Sequence, residues 1–296
     1  MSGKADFVEG HHGPAIIEGP ATALSWLTIL PVFGTATAFD RTTGTRAMNS
    51  LPIVGIALGT CTFAIIYPLI FLGIPELLIA TLCIAGWQLG TRMLHLDGLA
   101  DVGDALGAHT TPERAQQILA DQTTGALGMG SVVLVLLTQL TAISALITQL
   151  PTATAAFLIA IIPLITRTAA LLPCHRTFKP MSEHGFGAMV IGTVRASTIV
   201  LWTLIIAATT IIGGRFSLNF SQYDGAILAT DLTTITIASL LITLVAALLL
   251  SLHYAKRFHG LNGDCIGAII EITTALTAIA MVVAFNLLNY FTTPGI

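Results

Sequence analysis

The chain has 296 residues, of which only 9% are charged and 54% are hydrophobic, and its formal net charge is −3. A soluble domain carries about 25% charged residues, so this composition excludes an ordinary soluble protein. No basic block indicates nucleic acid as a partner, and none is expected. The mean hydropathy of +0.87 instead indicates a protein of the lipid bilayer.

The amino-terminal stretch is predicted to be a short polar extension over residues 1–20. It contains Asp6, Glu9 and Glu18 and lacks the apolar core of a signal peptide. Residues 21–38 are apolar but short, with Pro31 in the middle, and both a kinked span and an interfacial helix remain open. Residues 21–296 are predicted to form one membrane-embedded domain.

Apolar runs of roughly twenty residues, the length that a bilayer demands, recur along the rest of the chain. They predict an all-α fold, a polytopic integral membrane bundle of about seven transmembrane helices with a range of six to eight. The predicted spans cover residues 51–72, 76–94, 125–149, 153–173, 196–213, 232–252 and 266–290. A polar loop is predicted over residues 214–231.

Alternation of these spans puts four loops on one side of the membrane, namely 39–50, 95–124, 174–195 and 253–265. These loops and their flanks hold nine of the twelve Lys and Arg residues: Arg41, Arg46, Arg92, Arg114, Arg176, Lys179, Arg195, Lys256 and Arg257. By the positive-inside rule this side is cytoplasmic. The motifs below lie on the same side, so the sequence predicts a functional site at the cytoplasmic face of a cell membrane.

The segment from His95 to Gly107 places three of the fifteen carboxylates within eight residues. On a helix Asp97, Asp101 and Asp104 stand at i, i+4 and i+7 and share an arc of roughly 60°. Like charges on one face repel unless something positive lies between them. Carboxylate oxygens suit Mg²⁺. A metal site is therefore predicted. The alternatives, a solvated acidic loop or a first helical turn in which Asp complements the helix dipole, fit poorly with the apolar neighbours.

His95 opens this segment but would face away from Asp97 on a continuous helix, because two residues turn the helix by about 200°. It is predicted either to precede the helix or to have a separate role. A neutral imidazole in that role acts as a general base or as a hydrogen-bond donor to phosphate.

Two glycine-rich segments carry further candidates. In Asp121–Gly130 the start of a helix offers backbone N–H groups, including that of Gly125, to an anion such as phosphate. Glycines at this spacing serve close helix packing equally well. In Gly260–Glu271 the carboxylates of Asp264 and Glu271 lie within about 20° of each other on a helix. Glu271 lies inside an apolar run, where a carboxylate indicates function.

Cations complete the set of candidate residues. Arg167 lies within an apolar span, and Arg176 and Lys179 follow in the next polar loop. Acidic residues that hold a metal, together with basic residues that hold anions, suit phosphoryl transfer.

These segments carry a resemblance to a known family. His95-Leu96-Asp97-Gly98-Leu99-Ala100-Asp101-x-x-Asp104 resembles the HLDGLAD-x-x-D motif of the adenosylcobinamide-GDP ribazoletransferases, the cobalamin synthases. Gly260-x-x-Gly263-Asp264-x-x-Gly267-x-x-x-Glu271 resembles that family's GxTGDxlGAxxE element, and the likeness extends over most of the chain. The family usually carries a basic residue before Asp121, where this chain has Ala120. Arg114 and Arg176 are the candidates to replace that cation.

The resemblance implies a Mg²⁺-dependent enzyme in a late step of cobalamin synthesis, with residues 21–296 as its catalytic domain. Adenosylcobinamide-GDP and α-ribazole, or α-ribazole 5′-phosphate, would give adenosylcobalamin or its 5′-phosphate and GMP. Its expected partners are these substrates and the lipid bilayer, with a homo-oligomer or other corrinoid-pathway enzymes as further candidates.

The resemblance also suggests roles for individual residues. Asp97, Asp101 and Asp104, with Asp264 completing the shell, would hold the metal on the diphosphate, and a carboxylate or His95 would orient or deprotonate the attacking hydroxyl. The expected substrate-binding residues are Asp121, Gly125, Arg114, Arg167, Arg176, Gly263 and Glu271.

Two other functions compete with this interpretation. A CDP-alcohol phosphotransferase requires D-G-x-x-A-R, but no arginine follows Asp97-Gly98 at that spacing. A transporter would place charges near the middle of the membrane on several helices, whereas here the acidic residues gather at one membrane face.

Overall fold

The computed structural model of the chain describes residues 7–121, 123–220 and 229–292. Within these residues the backbone forms twelve helices, and the only β pairings are three isolated bridges. In chain order the helices are α1 (Ala15–Leu27), α2 (Arg41–Asn49), α3 (Leu51–Phe71), α4 (Glu76–Gly90), α5 (Leu94–Gly107), α6 (Pro112–Leu119), α7 (Ala126–Gln149), α8 (Thr152–Ala169), α9 (Phe186–Val190), α10 (Ala196–Phe220), α11 (Ala229–Arg257) and α12 (Gly263–Thr292). The fold is all-α, as the sequence predicts.

Among the described residues, five helices are long and apolar enough to cross a membrane: α3, α7, α8, α11 and α12. α4 and α5 qualify only together, as one span that is bent by 90°. The described apolar part of α10, Ala196–Ile212, is shorter. The polytopic membrane bundle is thereby confirmed, and the count with the bent pair, six, is the lower end of the predicted range.

α8 and α12 form the centre of the bundle, because most residues in the most apolar 18-residue stretch of each helix are buried. α7 and α11 lie further out, where Leu134 is 69% exposed and Leu249 is 60% exposed. Exposed leucines in such numbers are costly in water but not against lipid tails, which are as apolar as leucine. These outer faces therefore belong against the bilayer.

Small residues and interhelical hydrogen bonds hold the central helices together. A Cβ on Gly59 of α3 would lie 2.2 Å from the carbonyl oxygen of Ala160 in α8, so only glycine permits this approach. Thr243 of α11 and Thr277 of α12 share a buried hydrogen bond of 2.7 Å. Close contacts of this kind stabilise helix packing where no hydrophobic force acts between helices.

α1 begins at Ala15, six residues before the boundary at residue 21, and Glu18 within it is buried. The carboxylate of Glu18 accepts a hydrogen bond of 2.9 Å from Arg46 of α2. With 13 residues, α1 is too short to cross a bilayer. Within residues 21–38 the structure shows the end of this short helix followed by an irregular segment. The division into an extension and one domain stays a prediction.

The four loops that are predicted to share one side contact one another. Arg41 donates a hydrogen bond of 2.5 Å to the carbonyl oxygen of Ala188. Gln116 donates one of 2.7 Å to the carbonyl oxygen of Phe258. The backbone N–H of Met181 donates to Leu261 at 2.8 Å. These loops therefore meet at one end of the bundle, which we call the polar end.

Two predicted loops differ from the structure. The polar stretch 95–124 is mostly helical, forming α5 and α6, because Thr111 caps α6 and apolar residues line the buried side of α5. The predicted loop 214–231 is largely replaced by the ends of α10 and α11, and its residues 221–228 lie outside the described part of the chain.

Candidate active site

A sharp turn between α4 and α5 directs α5 across the polar end. Arg92 and Met93 have φ values of 56° and 55°. This left-handed conformation is uncommon for residues other than glycine and costs about 1–3 kcal/mol each. The Arg92 guanidinium donates a hydrogen bond to the carbonyl oxygen of Trp26. The strained turn is thus held by a contact to α1, and it produces the 90° bend.

α5 crosses the start of α12 at two glycines. A Cβ on Gly98 would lie 2.7 Å from the carbonyl oxygen of Asp264, and one on Gly267 would lie 3.1 Å from the Cα of His95. Neither position can accept a side chain without moving the facing backbone. The glycines of the two motifs therefore bring Asp97 of α5 beside Asp264 of α12.

The two faces of α5 have different surroundings. His95, Leu99 and Val102 lie on its buried face. Asp97 is exposed on the opposite side, and Asp101 is partly exposed there. This is the arrangement that the spacing predicts: the carboxylates share a face, and His95 points elsewhere.

Asp104 contacts the start of α7. Its carboxylate accepts hydrogen bonds from the backbone N–H groups of Gly125 at 2.5 Å and of Gly128 at 2.8 Å. A carboxylate here satisfies unpaired N–H groups and complements the helix dipole. The N–H of Gly125 therefore binds the protein's own carboxylate rather than a free anion. Asp121, just before α7, accepts a bond of 3.1 Å from the N–H of Thr123.

A cavity of about 980 Å³ opens at the polar end between α1, α5, the loop before α9 and the start of α12. Asp97, Asp264, Asn262 and His95 line it, and Arg92 supplies a cation. Gly263 also lines it. The other residues predicted for the site lie outside this lining: Asp101, Asp104, Asp121, Gly125, Arg114, Arg167, Arg176 and Glu271.

One wall of the cavity is aromatic. The ring of Trp26 lies 5.4 Å from that of Phe39 and 5.8 Å from that of Phe186, between ring centroids. All three rings line the cavity and are partly exposed. The ring of Phe186 lies against Gly263, the residue before Asp264. The aromatic wall therefore borders directly on the carboxylates.

The carboxylates fit Mg²⁺ if a substrate supplies the remaining ligands. Among the described residues, no group of three or more His, Cys, Asp or Glu side chains forms a closed metal site. Within the same residues, no Lys, Arg or His forms an ion pair with Asp97, Asp101 or Asp264. Mg²⁺ typically takes one or two carboxylates, several waters and substrate phosphates. Asp97 and Asp264 would hold it, with Asp101 behind them.

The predicted cations lie in three different environments. Arg114 is exposed on α6 and donates to Gln117 at 2.8 Å. Arg176 is exposed in the loop after α8. Arg167 is buried inside the bundle, out of reach of a substrate in the cavity. Arg92, which the sequence contributed only to the charge count of the loops, is the arginine on the cavity wall.

Arg167 and Glu271 belong to a buried polar cluster together with His95, Gln88 and Gln139. The Glu271 carboxylate accepts hydrogen bonds from the side chain of Gln88 at 3.0 and 3.1 Å and from that of Gln139 at 2.9 Å. A guanidinium nitrogen of Arg167 lies 3.4 Å from Nδ1 of His95. This cluster lies directly behind the cavity wall that His95 forms.

Five residues of the cavity wall and the buried polar cluster are not among the predicted site residues. Gln88 and Gln139 lie inside apolar runs, and the argument that singles out Arg167 and Glu271 there applies equally to them. Trp26 and Phe39 lie in neighbouring segments, Phe186 lies far from both in the chain, and the three share no periodicity. Only the folded structure brings these three rings together.

Thiol chemistry is excluded at the buried Cys174, which follows α8. Burial raises the pKa of its thiol to about 12, so the thiol stays protonated at neutral pH. A protonated, enclosed thiol is not a nucleophile. Cys174 is therefore a packing residue.

Comparison with known proteins gives a consistent result. The family model for cobalamin-5-phosphate synthase matches residues 19–282. A protein of Corynebacterium diphtheriae named adenosylcobinamide-GDP ribazoletransferase is 44% identical over 97% of this chain and 99% of its own length. Proteins of the same name from Corynebacterium efficiens and Pseudomonas aeruginosa are 42% and 31% identical, over 96% and 88% of this chain and 98% and 95% of their own lengths.

No solved structure matches the chain significantly. The family match covers both acidic motifs, the turn before α5 and the aromatic wall, so it extends over the whole of the cavity described above. The phosphotransferase and transporter alternatives have no comparable support. The chain belongs to the cobalamin-5-phosphate synthase family and is an enzyme of cobalamin synthesis.

Proposed function

We propose that this enzyme joins adenosylcobinamide-GDP to α-ribazole, or to its 5′-phosphate, and releases GMP, with Mg²⁺ as its cofactor. The product is adenosylcobalamin or its 5′-phosphate. The observation that supports this most is the meeting of two chemistries in one cavity. Asp97 and Asp264 suit a metal-bound diphosphate, and the adjoining aromatic wall suits a flat base.

The reaction is a phosphoryl transfer between two oxygens. A ribose hydroxyl of the ribazole attacks the phosphorus attached to cobinamide, a new P–O bond forms, and the P–O bond to GMP breaks. GMP leaves with the electron pair, and the hydroxyl proton passes to a base. Bound Mg²⁺ would offset the negative charge on the leaving phosphate. Arg92, on the cavity wall, would contact the same phosphates.

Asp97 and Asp264 support this role by their position and because no cationic side chain among the described residues pairs with them. Asp264 accepts a hydrogen bond of 2.6 Å from Asn262, which also caps α12 through the N–H of Cys265 at 3.1 Å. Its carboxylate is therefore oriented before any ligand binds. Asp97 accepts no side-chain hydrogen bond from a described residue, and it stays free to meet a metal or a hydroxyl.

The aromatic wall is proposed to hold the ribazole base, because stacking on an aromatic ring is worth about 1–3 kcal/mol per base. Replacing Trp26 with leucine should raise KM for α-ribazole by about tenfold or more and leave kcat within a few-fold. Phe63→Leu on the outer side of α3 is the matched control. An unchanged KM in Trp26→Leu, with a normal control, would show that the ribazole base does not bind at this wall.

The polar end is proposed to face the cytoplasm, because it carries most of the Lys and Arg residues of the chain. A cysteine placed at Lys179, in a variant without its native exposed Cys61, should react with an impermeant thiol reagent only in inverted vesicles. Reaction of this cysteine in intact cells would show that the polar end faces the outside of the cell.

The direct test of function uses purified wild-type protein in lipid nanodiscs. With adenosylcobinamide-GDP, α-ribazole and Mg²⁺, GMP and a cobalamin should appear in equal amounts. Removal of Mg²⁺ by a chelator should stop both. Formation of GMP alone would indicate hydrolysis, and absence of turnover with any divalent metal would contradict the proposal.

A further inference from the structure

The buried polar cluster behind the cavity, formed by Gln88, His95, Gln139, Arg167 and Glu271, contains charges that the proposed reaction does not use directly. All five side chains are at least nine-tenths buried. Burial of a charged pair is costly unless its hydrogen bonds are satisfied, so such a cluster indicates a specific task. His95 belongs both to this cluster and to the cavity wall.

The contact between Arg167 and His95 decides which ring nitrogen carries the proton. A guanidinium has five N–H donors and no acceptor. The nitrogen Nδ1 of His95, 3.4 Å from the Arg167 guanidinium, must therefore accept this hydrogen bond through its lone pair. In a neutral imidazole the proton then resides on Nε2.

Glu271 does not compete for Nδ1. Its nearer oxygen lies 3.9 Å from that nitrogen, beyond hydrogen-bond distance. Its carboxylate already accepts three hydrogen bonds from the amide nitrogens of Gln88 and Gln139. Turning either amide around would point a carbonyl oxygen at the carboxylate, so the orientation with both nitrogens inward is favoured.

The remaining nitrogen of His95, Nε2, makes no hydrogen bond to a described residue, and the residue lines the cavity. We infer that Arg167 fixes His95 in the tautomer that carries its proton on Nε2, so that His95 donates a hydrogen bond to a substrate oxygen in the cavity. This role rests on the proposed function. Arg167 is then a positioning residue, held in turn by the charge of Glu271.

This role removes His95 from the candidate general bases. Nε2, the nitrogen left for the cavity, already carries a proton, and the lone pair of Nδ1 is occupied by the Arg167 donor. Neither ring nitrogen can therefore take a proton from the substrate. The proton of the attacking hydroxyl then goes to a carboxylate on the exposed face of α5. The N–H of His95 instead stabilises negative charge on a phosphate oxygen as the bond to GMP breaks.

Two substitutions at His95 distinguish a donor from a base. His95→Gln keeps an N–H donor close to the place of Nε2 but cannot act as a base, whereas His95→Leu offers neither. We expect Gln to retain activity within about tenfold of wild type and Leu to lose about 10²–10³-fold in kcat. Equal losses in Gln and Leu, with both proteins folded, would overturn the donor role.

Arg167→Met tests the positioning step. It should lower kcat by about tenfold or more while KM changes little, because substrate does not touch Arg167. Thr277→Val, which removes a buried hydrogen bond elsewhere on α12, is the matched control and should leave kcat unchanged. A rise in KM without a fall in kcat would contradict the positioning role.

The tautomer itself can be read without turnover. In protein labelled with ¹⁵N-histidine, protonated and bare ring nitrogens resonate in well-separated ranges, and His95→Gln assigns the signal. We expect a protonated Nε2 and a bare Nδ1 in wild type, and loss of this preference in Arg167→Met. A protonated Nδ1 in wild type would overturn the inference even if the enzyme is active. If the enzyme lacks activity but Nε2 is protonated, the proposed reaction fails and the tautomer stands.

Discussion

Asp97 and Asp104 look equivalent in the sequence, but their contacts differ. Asp97 faces the cavity and its carboxylate accepts no hydrogen bond from the described residues, whereas that of Asp104 accepts two from the start of α7. These different contacts indicate a functional role for Asp97 and a stabilising role for Asp104. Asp97 is free to act on a ligand, and Asp104 joins α5 to α7.

Asp104→Ala should therefore lower the free energy of unfolding by about 1–2 kcal/mol, because two N–H groups at the start of α7 lose their partner. Asp97→Ala should leave stability unchanged or slightly raised, since it removes like-charge repulsion. Thermal unfolding in one detergent measures both variants. Equal destabilisation by the two changes would show that Asp104 has no capping role.

At the scale of elements, the crossing of α5 and α12 depends on atomic contact at glycine. Gly98→Ala would place a Cβ 2.7 Å from the carbonyl oxygen and 2.8 Å from the Cα of Asp264, and the facing backbone cannot yield cheaply. We expect a loss of about 1–3 kcal/mol in stability and a larger loss of activity, because Asp264 moves.

Gly130→Ala on α7 is the matched control for this prediction. No atom of the described residues lies within 4 Å of a Cβ built there, so alanine should be neutral or stabilising by up to about 1 kcal/mol. Unfolding midpoints and turnover of the two variants can be compared directly. If Gly98→Ala behaves like Gly130→Ala, the close crossing is not required.

A charged cluster attaches the amino-terminal segment to α1 and α2. Protonated His12 donates to the carboxylates of Glu18 and Asp40, each at 3.0 Å, and Arg46 pairs with Glu18 at 2.9 Å. The hydrogen bonds to Glu18 and Asp40 raise the pKa of His12. Burial acts to raise the pKa of Glu18, but the bonds from His12, Gly13 and Arg46 outweigh it and lower that pKa.

The attachment should therefore depend on pH. Protonated His12 stabilises it fully below the ordinary imidazole pKa of about 6.5, and this contribution is lost as the pH rises through the raised value. The carboxylate of Glu18 contributes above about pH 4.5, and its contribution is lost as the pH falls through its lowered pKa. The amino-terminal segment should therefore be attached most firmly between about pH 4.5 and about pH 6.5.

Limited proteolysis before α1, measured across pH, tests this dependence. Cleavage in wild type should accelerate as the pH rises above the imidazole range. His12→Ala should remove that acceleration, and His11→Ala, whose neighbouring ring lies outside the cluster, should preserve it. A cleavage rate that does not change with pH in wild type would contradict the account of this cluster.

The sequence predicts which residues of α5 share a face, but not the direction in which the helix leaves the turn after α4. The spacing of the three aspartates predicts their common face, and the helical repeat predicts that His95 points away from that face. The bend before α5 carries no such signal, because Arg92 and Met93 are neither glycine nor proline. Their left-handed backbone persists only because tertiary contacts such as that to Trp26 hold it.

At the scale of the whole molecule, hydropathy predicted the membrane bundle and the grouping of its charged loops. Apolar runs are long-range features that composition alone makes visible. The cavity was not predictable in the same way, since its wall combines α1, α5, the loop before α9 and α12. Side chains such as Arg92 and Phe186 acquire their place only when these elements meet.

The central claim is that the cavity with Asp97 and Asp264 is where the metal-dependent transfer takes place. The most direct test measures GMP and cobalamin formation by Asp97→Asn in nanodiscs with Mg²⁺, beside wild type and the exposed control Glu113→Gln. We expect Asp97→Asn to lose at least about 10²-fold in kcat while it unfolds at the wild-type temperature, and the control to stay within twofold. Full activity of a folded Asp97→Asn would contradict this assignment of the site.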